Sequence, residues 1–212
     1  MNMVATPETM PVAPPSKDGE PTWEVALLFP VQGRWSEAEY LALETNHLVE
    51  LCDGRLEFLP MPSLAHQFMV AFLYETLWAF VKPLALGSVL FAPLPVRLWA
   101  RHLREPDVVF FKTGRFTDLH KPPDGADLVM EVVSPGEENR TRDLEDKRQD
   151  YAAAGIAEYW IVDPQEQHVI VLTLDGQTYR EHGVFGHDTT ATSVLFSGFS
   201  VVVDNVFSAG GV

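Results

Sequence analysis

The stretch from Asp127 to Pro135, "DLVMEVVSP", constrains this chain more than any other. Side chains alternate along a strand, so Leu128, Met130 and Val132 share one face, while Val129, Glu131 and Val133 share the other. Apolar residues on both faces place such a strand inside a sheet that is covered on both sides. Glu131 then stands where a lone carboxylate takes up a proton or costs several kcal/mol. The strand therefore requires a companion for Glu131, brought from elsewhere in the chain.

Two segments offer one. "PDVVFF" reads as the preceding strand, with Asp107 at its very start. If the two strands run antiparallel, opposite ends meet and the Asp107 and Glu131 carboxylates converge. The fifteen intervening residues, rich in Gly, Pro and polar side chains, suffice for the reversal. Two neighbouring carboxylates repel unless they share a proton or a divalent cation. The second segment, "TRDLEDKRQDYAAAG", reads as a helix ended by Gly155. Its inward stripe runs Leu144, Lys147, Arg148, Tyr151 and Gly155, with Asp143 one turn before Lys147 on that flank. A lysine aimed at acids suits phosphoryl-transfer chemistry, where it orients water or neutralises charge on phosphate oxygens. The plain alternative is a surface i,i+4 pair worth about 0.2–0.5 kcal/mol.

The rest of the chain frames these elements. Residues 1–22 contain five prolines and little that could pack, and are expected to form a disordered arm. Residues 23–212 are expected to form one domain, starting near Trp23. Ser36 and Glu39 form a capping box for a short helix. "HLVELCDGRLEFLP" reads as a hairpin turning at Asp53-Gly54. Residues 63–82 read as a largely buried helix. "SVLFAPLPVRLW", "AEYWIVDP", "HVIVLTL", "QTYREHGVF" and "FSVVVD" read as strands, followed by a frayed end. The fold class is α/β (α+β), with a mixed central sheet flanked by helices and preceded by a helix and a hairpin.

A single cysteine, Cys52, precludes an internal disulfide and fits a cytoplasmic protein; it reads as a small strand residue, since no nucleophile motif surrounds it. The apolar stretches are shorter than a membrane span, and the start lacks a basic region before an apolar run, so neither transmembrane helix nor signal peptide is expected. The net charge of −15 opposes phosphate binding. Seven of the 15 Lys and Arg residues lie near the proposed acids: Arg97, Arg101, Arg104, Arg140, Arg142, Lys147 and Arg148. Acids interleave the second group, so no basic groove is evident.

"PDVVFF", "DLVMEVVSP", "DLEDKRQDY" and "AAGIAEYWIVDP" together resemble the PD-(D/E)XK superfamily of restriction-endonuclease-like proteins. More closely, with the upstream "VELCDGRLEFLPMPSLAHQ", they resemble its Uma-two branch, over roughly residues 35–180. The resemblance implies a restriction-endonuclease-like core and a metal-dependent phosphodiesterase site. Asp107 and Glu131 would hold Mg²⁺ or Mn²⁺, and Glu50 would be an additional acid. The superfamily's lysine, two residues after the Glu, is Val133 here. Lys147 on the following helix stands in for it, the same residue that the stripe identifies. The resemblance also implies a nucleic-acid substrate, DNA ahead of RNA, and a homodimer.

Three weaker candidates complete the set. His66, matching the family's histidine near the start of the long helix, would contact substrate or orient Glu50. Tyr151 would pack over the lysine or donate to an acid, and Arg97 would reach a phosphate or merely snorkel. From alternation alone, Glu50 between Val49 and Leu51 reads as solvent-facing. Trp160 reads as core and Asp163-Pro164 as a turn. Two other functions compete: a silent nuclease-like fold used as a protein-interaction or regulatory module, and a two-carboxylate hydrolase without metal. The latter gives no reason for the lysine.

Overall fold

A computed structural model of the chain describes residues 28–211 except Asn46 and Thr117. The expected arm, and the start near Trp23, lie outside the described residues. The capping box is present: the Ser36 hydroxyl accepts the Glu39 N–H, and Glu39 returns to the Ser36 N–H at 2.8 Å. It opens α1 (Glu37–Leu41). The hairpin follows as β1 (Val49–Cys52) and β2 (Arg55–Phe58), with Asp53 and Gly54 at φ +49° and +79°. Those are the left-handed conformations that a type I′ turn demands.

Next come α2 (Leu64–Val81), β3 (Gly87–Phe91), β4 (Val96–Trp99), β5 (His102–Arg104), β6 (Val108–Lys112) and β7 (Leu128–Val132). A helical stretch then runs as α3 (Glu137–Thr141), a π-helical turn (Arg142–Asp146) and α4 (Lys147–Ala153). The chain finishes with β8 (Glu158–Asp163), β9 (His168–Asp175), β10 (Thr178–Phe185), β11 (Thr190–Thr192), β12 (Ser200–Val202) and α5 (Val203–Gly210).

Six strands form the central sheet in the order β10-β9-β8-β7-β6-β3. β7 and β8 pair parallel and every other neighbour pairs antiparallel, so the sheet is mixed. β7 lies inside it, as its two apolar faces require. Leu128, Met130 and Val132 pack with Met69, Leu73 and Leu77 of α2 and Val206 and Phe207 of α5. Val129 and Val133 pack with Tyr151 and Ala152 of α4 and with Val96. By length and apolar content α2 could also cross a membrane; here its Met69, Val70, Leu73, Leu77 and Val81 lie in the core.

Two sequence expectations need correction, and one strand was not expected. "SVLFAPLPVRLW" divides into β3 of the central sheet and β4 of a second sheet, ordered β2-β1-β5-β4. Pro93 and Pro95 lie between them, where the missing N–H groups interrupt a strand ladder. The short β5 had no pattern of its own in the sequence. The end is not frayed: α5 buries Val203, Val206 and Phe207 against the central sheet's core.

Candidate active site

The β6–β7 pairing sets Val108 opposite Met130 and Val109 opposite Val129. One residue further, the same register sets Asp107 opposite Glu131, at the end of the strands where both side chains line a cavity of about 240 Å³. Glu131 is 3% exposed. Its Oε1 accepts from Lys147 Nζ at 2.8 Å and from the Tyr151 hydroxyl at 2.5 Å. These are the companions that the buried strand required.

Lys147 is buried to the same degree, which rules out the plain surface pair. Its ammonium also lies 3.6 Å from Asp143 Oδ1 and 3.7 Å from Glu50 Oε1. Local backbone geometry helps to aim it. The Lys147 N–H bonds the Arg142 carbonyl, five residues back, widening the helix there. π-Helical turns of this kind often occur at functional sites. The inward residues are Asp143, Lys147 and Tyr151, while Leu144 and Arg148 lie half-buried on the flank.

Asp107 is held differently. Its Oδ2 accepts from the Val132 N–H at 2.8 Å and lies 3.3 Å from His66 Nε2. His66 therefore orients Asp107 and not Glu50. Burial alone would lower its imidazole pKa, but the hydrogen bond and charge of Asp107 raise it. The buried His66 Nδ1 has no partner among the described residues.

Glu50 is fully buried, contrary to the solvent-facing reading. Its Oε1 accepts from the Glu105 N–H and its Oε2 from Arg104 NH1, each at 2.8 Å. Burial alone would raise its pKa; Lys147 and Arg104 nevertheless pull it down to about 2. Glu131 behaves oppositely. Burial is the largest influence and, with Asp107, Asp143 and Glu50 adding to it against Lys147, lifts the carboxyl to about 7. Burial would lower the Lys147 pKa, but Glu131, Glu50 and Asp143 outweigh it and keep the ammonium charged.

The structure thus gathers Asp107, Glu131, Lys147 and Glu50 around one place. It puts Tyr151 beneath the cavity, fully buried, so that Tyr151 supports Glu131 and cannot touch a substrate. It puts Arg97 elsewhere: the guanidinium pairs with Glu37 at 2.7 Å and Asp124 at 2.9 Å and does not line the cavity. Residues that sequence reasoning left without a role include Glu105 and Arg142, which line the cavity, and Arg104, which grips Glu50. Only the closeness of Arg104 to Asp107 in "REPD" hinted at the last.

A mixed central sheet with helices on its faces gives the chain a restriction-endonuclease-like fold, with this cluster at the strand ends. A solved structure described as "a putative nuclease belonging to DUF820", from Anabaena variabilis, shares the fold at a TM-score of 0.68. The match has 21% identity and covers 82% of this chain and 98% of that one. No curated protein matches the chain. The family model Uma2, described as "Putative restriction endonuclease", matches residues 37–204, and the chain belongs to that family.

Proposed function

We propose that the protein is a metal-dependent endonuclease that hydrolyses phosphodiester bonds at the Asp107/Glu131/Lys147 cluster. The observation that carries this reading is the Lys147 ammonium, 2.8 Å from Glu131 on the wall of the cavity that Asp107 shares. The donor set suits a hard divalent cation such as Mg²⁺ or Mn²⁺. Asp107 and Glu131 offer carboxylate oxygens, and no protein donor reaches Glu131 Oε2 among the described residues. Burial, with Asp107, Asp143 and Glu50 adding to it, lifts the Glu131 carboxyl, and a cation beside it would oppose that lift. Asp107 and Glu131 would hold the ion; when bound, it supplies Lewis-acid polarisation and an activated water.

The chain's own groups supply the rest. Lys147 holds a fixed positive charge where a phosphate's oxygens would lie, and such a charge costs no reorganisation when negative charge develops. Tyr151 and Lys147 fix the orientation of Glu131, and His66 fixes that of Asp107. Nucleic acid is the substrate class, DNA first, as the family's description suggests. Incubating the protein with DNA or RNA and Mn²⁺ or Mg²⁺ tests this, with Glu131→Ala and Asp107→Ala in parallel. Cleavage lost in both variants is expected; equal cleavage by wild type and Glu131→Ala removes the assigned site.

One observation favours the interaction-module reading. The arginines nearest the cavity are already engaged: Arg104 by Glu50, Arg142 by Asp143 and Arg140 by Asp163. With a net charge of −15, few cations are left for a phosphate backbone. Calorimetry with Mn²⁺ separates the two readings. Binding abolished by Asp107→Ala supports the enzyme, and no binding to wild type supports the module.

A further inference from the structure

Arg104 anchors a second arrangement behind the cavity. It is 3% exposed, in β5, and the β1–β5 register that pairs Leu51 with Leu103 sets it across from Glu50. NH1 donates to Glu50 Oε2 at 2.8 Å and to Glu57 Oε2 at 2.7 Å. Nε and NH2 donate to Asp150 Oδ2 at 2.9 and 2.7 Å. Glu50 and Glu57 belong to the hairpin, whereas Asp150 lies three residues after Lys147 on α4. One guanidinium therefore clips the hairpin to the helix that carries the lysine. His102 reinforces the clip, with Nδ1 3.2 Å from Asp53 Oδ1 and Nε2 3.0 Å from Asp150 Oδ2.

The clip also decides what Glu50 can do. Both of its oxygens are taken by protein donors, and the Lys147 ammonium lies 3.7 Å from Oε1. Glu50, Cys52 and Glu57 place ligand atoms close enough together for an ion, but the Arg104 guanidinium already sits between the two carboxylates. We infer that Arg104 is a positioning residue: by holding Glu50 and Asp150 it fixes the Lys147 ammonium at the acid cavity, and Glu50 braces that lysine instead of ligating a cation. The effect on turnover rests on the nuclease reading; the placement of Lys147 does not.

The chain has five lysines, so Lys147 can be followed by nuclear magnetic resonance of lysine-labelled protein and assigned with Lys147→Arg. Wild type should give one side-chain resonance apart from the other four. Arg104→Met and Asp150→Ala should both move or abolish it. Arg104→Lys keeps a cation for Glu50, but a single ammonium cannot span three carboxylates; it should recover thermal stability without restoring the resonance. Should Arg104→Met fail to fold, Asp150→Ala, at a half-buried position, carries the comparison. An unmoved resonance in Asp150→Ala, or its full restoration by Arg104→Lys, overturns the inference. In an active enzyme, Asp150→Ala should lower kcat about 100-fold with KM within about threefold, the scale of a small misplacement. Absence of cleavage by wild type would remove the nuclease reading, while the resonance comparison would still decide the role of Arg104.

Discussion

Lys147 and Glu131 are sixteen residues apart in the chain, yet Nζ and Oε1 meet at 2.8 Å with both side chains almost wholly buried. Each makes the other tolerable. A buried ion pair adds little net stability compared with apolar residues, but removing one partner leaves an uncompensated charge.

Lys147→Met should therefore destabilise the protein by about 3–5 kcal/mol. Adding Glu131→Gln should recover part of that loss, because one stranded carboxylate goes while Glu50 and Asp143 still face the vacated place. Urea denaturation of the two single variants and the double variant measures the coupling. Additive losses would show that the pair does not act as a unit.

Stability should carry a pH signature from Glu131. Burial lifts its carboxyl to about 7, with Asp107, Asp143 and Glu50 adding to the effect and Lys147 opposing it. A carboxyl raised in the folded state binds its proton more tightly there than in the unfolded chain. Its contribution is thus full below the ordinary 4.5 and is lost as pH rises through about 7. Glu50, pulled down to about 2, acts in the opposite sense: its contribution is present above 4.5 and fades as pH falls towards 2. Glu131→Gln should flatten the profile between pH 4.5 and 7 and leave the acid limb in place. Parallel profiles for wild type and variant across that window would contradict the assignment.

Arg97 should be dispensable. Its pairs with Glu37 and Asp124 are partly exposed, a setting in which ion pairs contribute up to about 1 kcal/mol each. Arg97→Ala should leave Mn²⁺ affinity and any cleavage at wild-type levels while costing at most a small shift in thermal midpoint. A clear loss of cleavage in a folded variant would return Arg97 to the site.

Glu158 should anchor the C-terminal segment without touching the cavity. Its carboxylate accepts from Trp160 Nε1 at 2.6 Å, Ser193 Oγ at 2.7 Å, and the Val194 and Leu195 N–H groups at 2.6 and 2.7 Å. Hydrogen bonds to a charged acceptor contribute about 1.5–3 kcal/mol. Glu158→Gln should cost on that order and speed hydrogen exchange at the Val194 and Leu195 amides, with Mn²⁺ binding unchanged. Unaltered exchange at those two amides would show that the anchor lies elsewhere.

Much of the arrangement around Glu131 was legible in the sequence. The doubly apolar β7 demanded a partner for Glu131, the strand order allowed Asp107 to meet it, and helical spacing turned Lys147 inward. The first and third inferences use a local periodicity, which the backbone enforces wherever the segment lies; the second rests on the antiparallel pairing of two strands that follow one another in the chain. Glu50 shows where that reasoning stops. Alternation correctly placed it opposite Val49 and Leu51, but could not say that Arg104 and Lys147 meet it on the other face of β1. Arg97 and Arg104 show the same limit. Both are arginines on short strands near the acids, and nothing local separates the one paired at the rim from the one buried among three carboxylates.

The sequence by itself settled which residues alternate, which share a helical stripe and where a charge would be stranded, because these follow from strand and helix geometry within a few residues. Only the tertiary structure decided which face each helix covers, which acid the histidine serves and how Arg104 joins the hairpin to α4. Those outcomes depend on contacts between segments separated by tens of residues, and no local period encodes them.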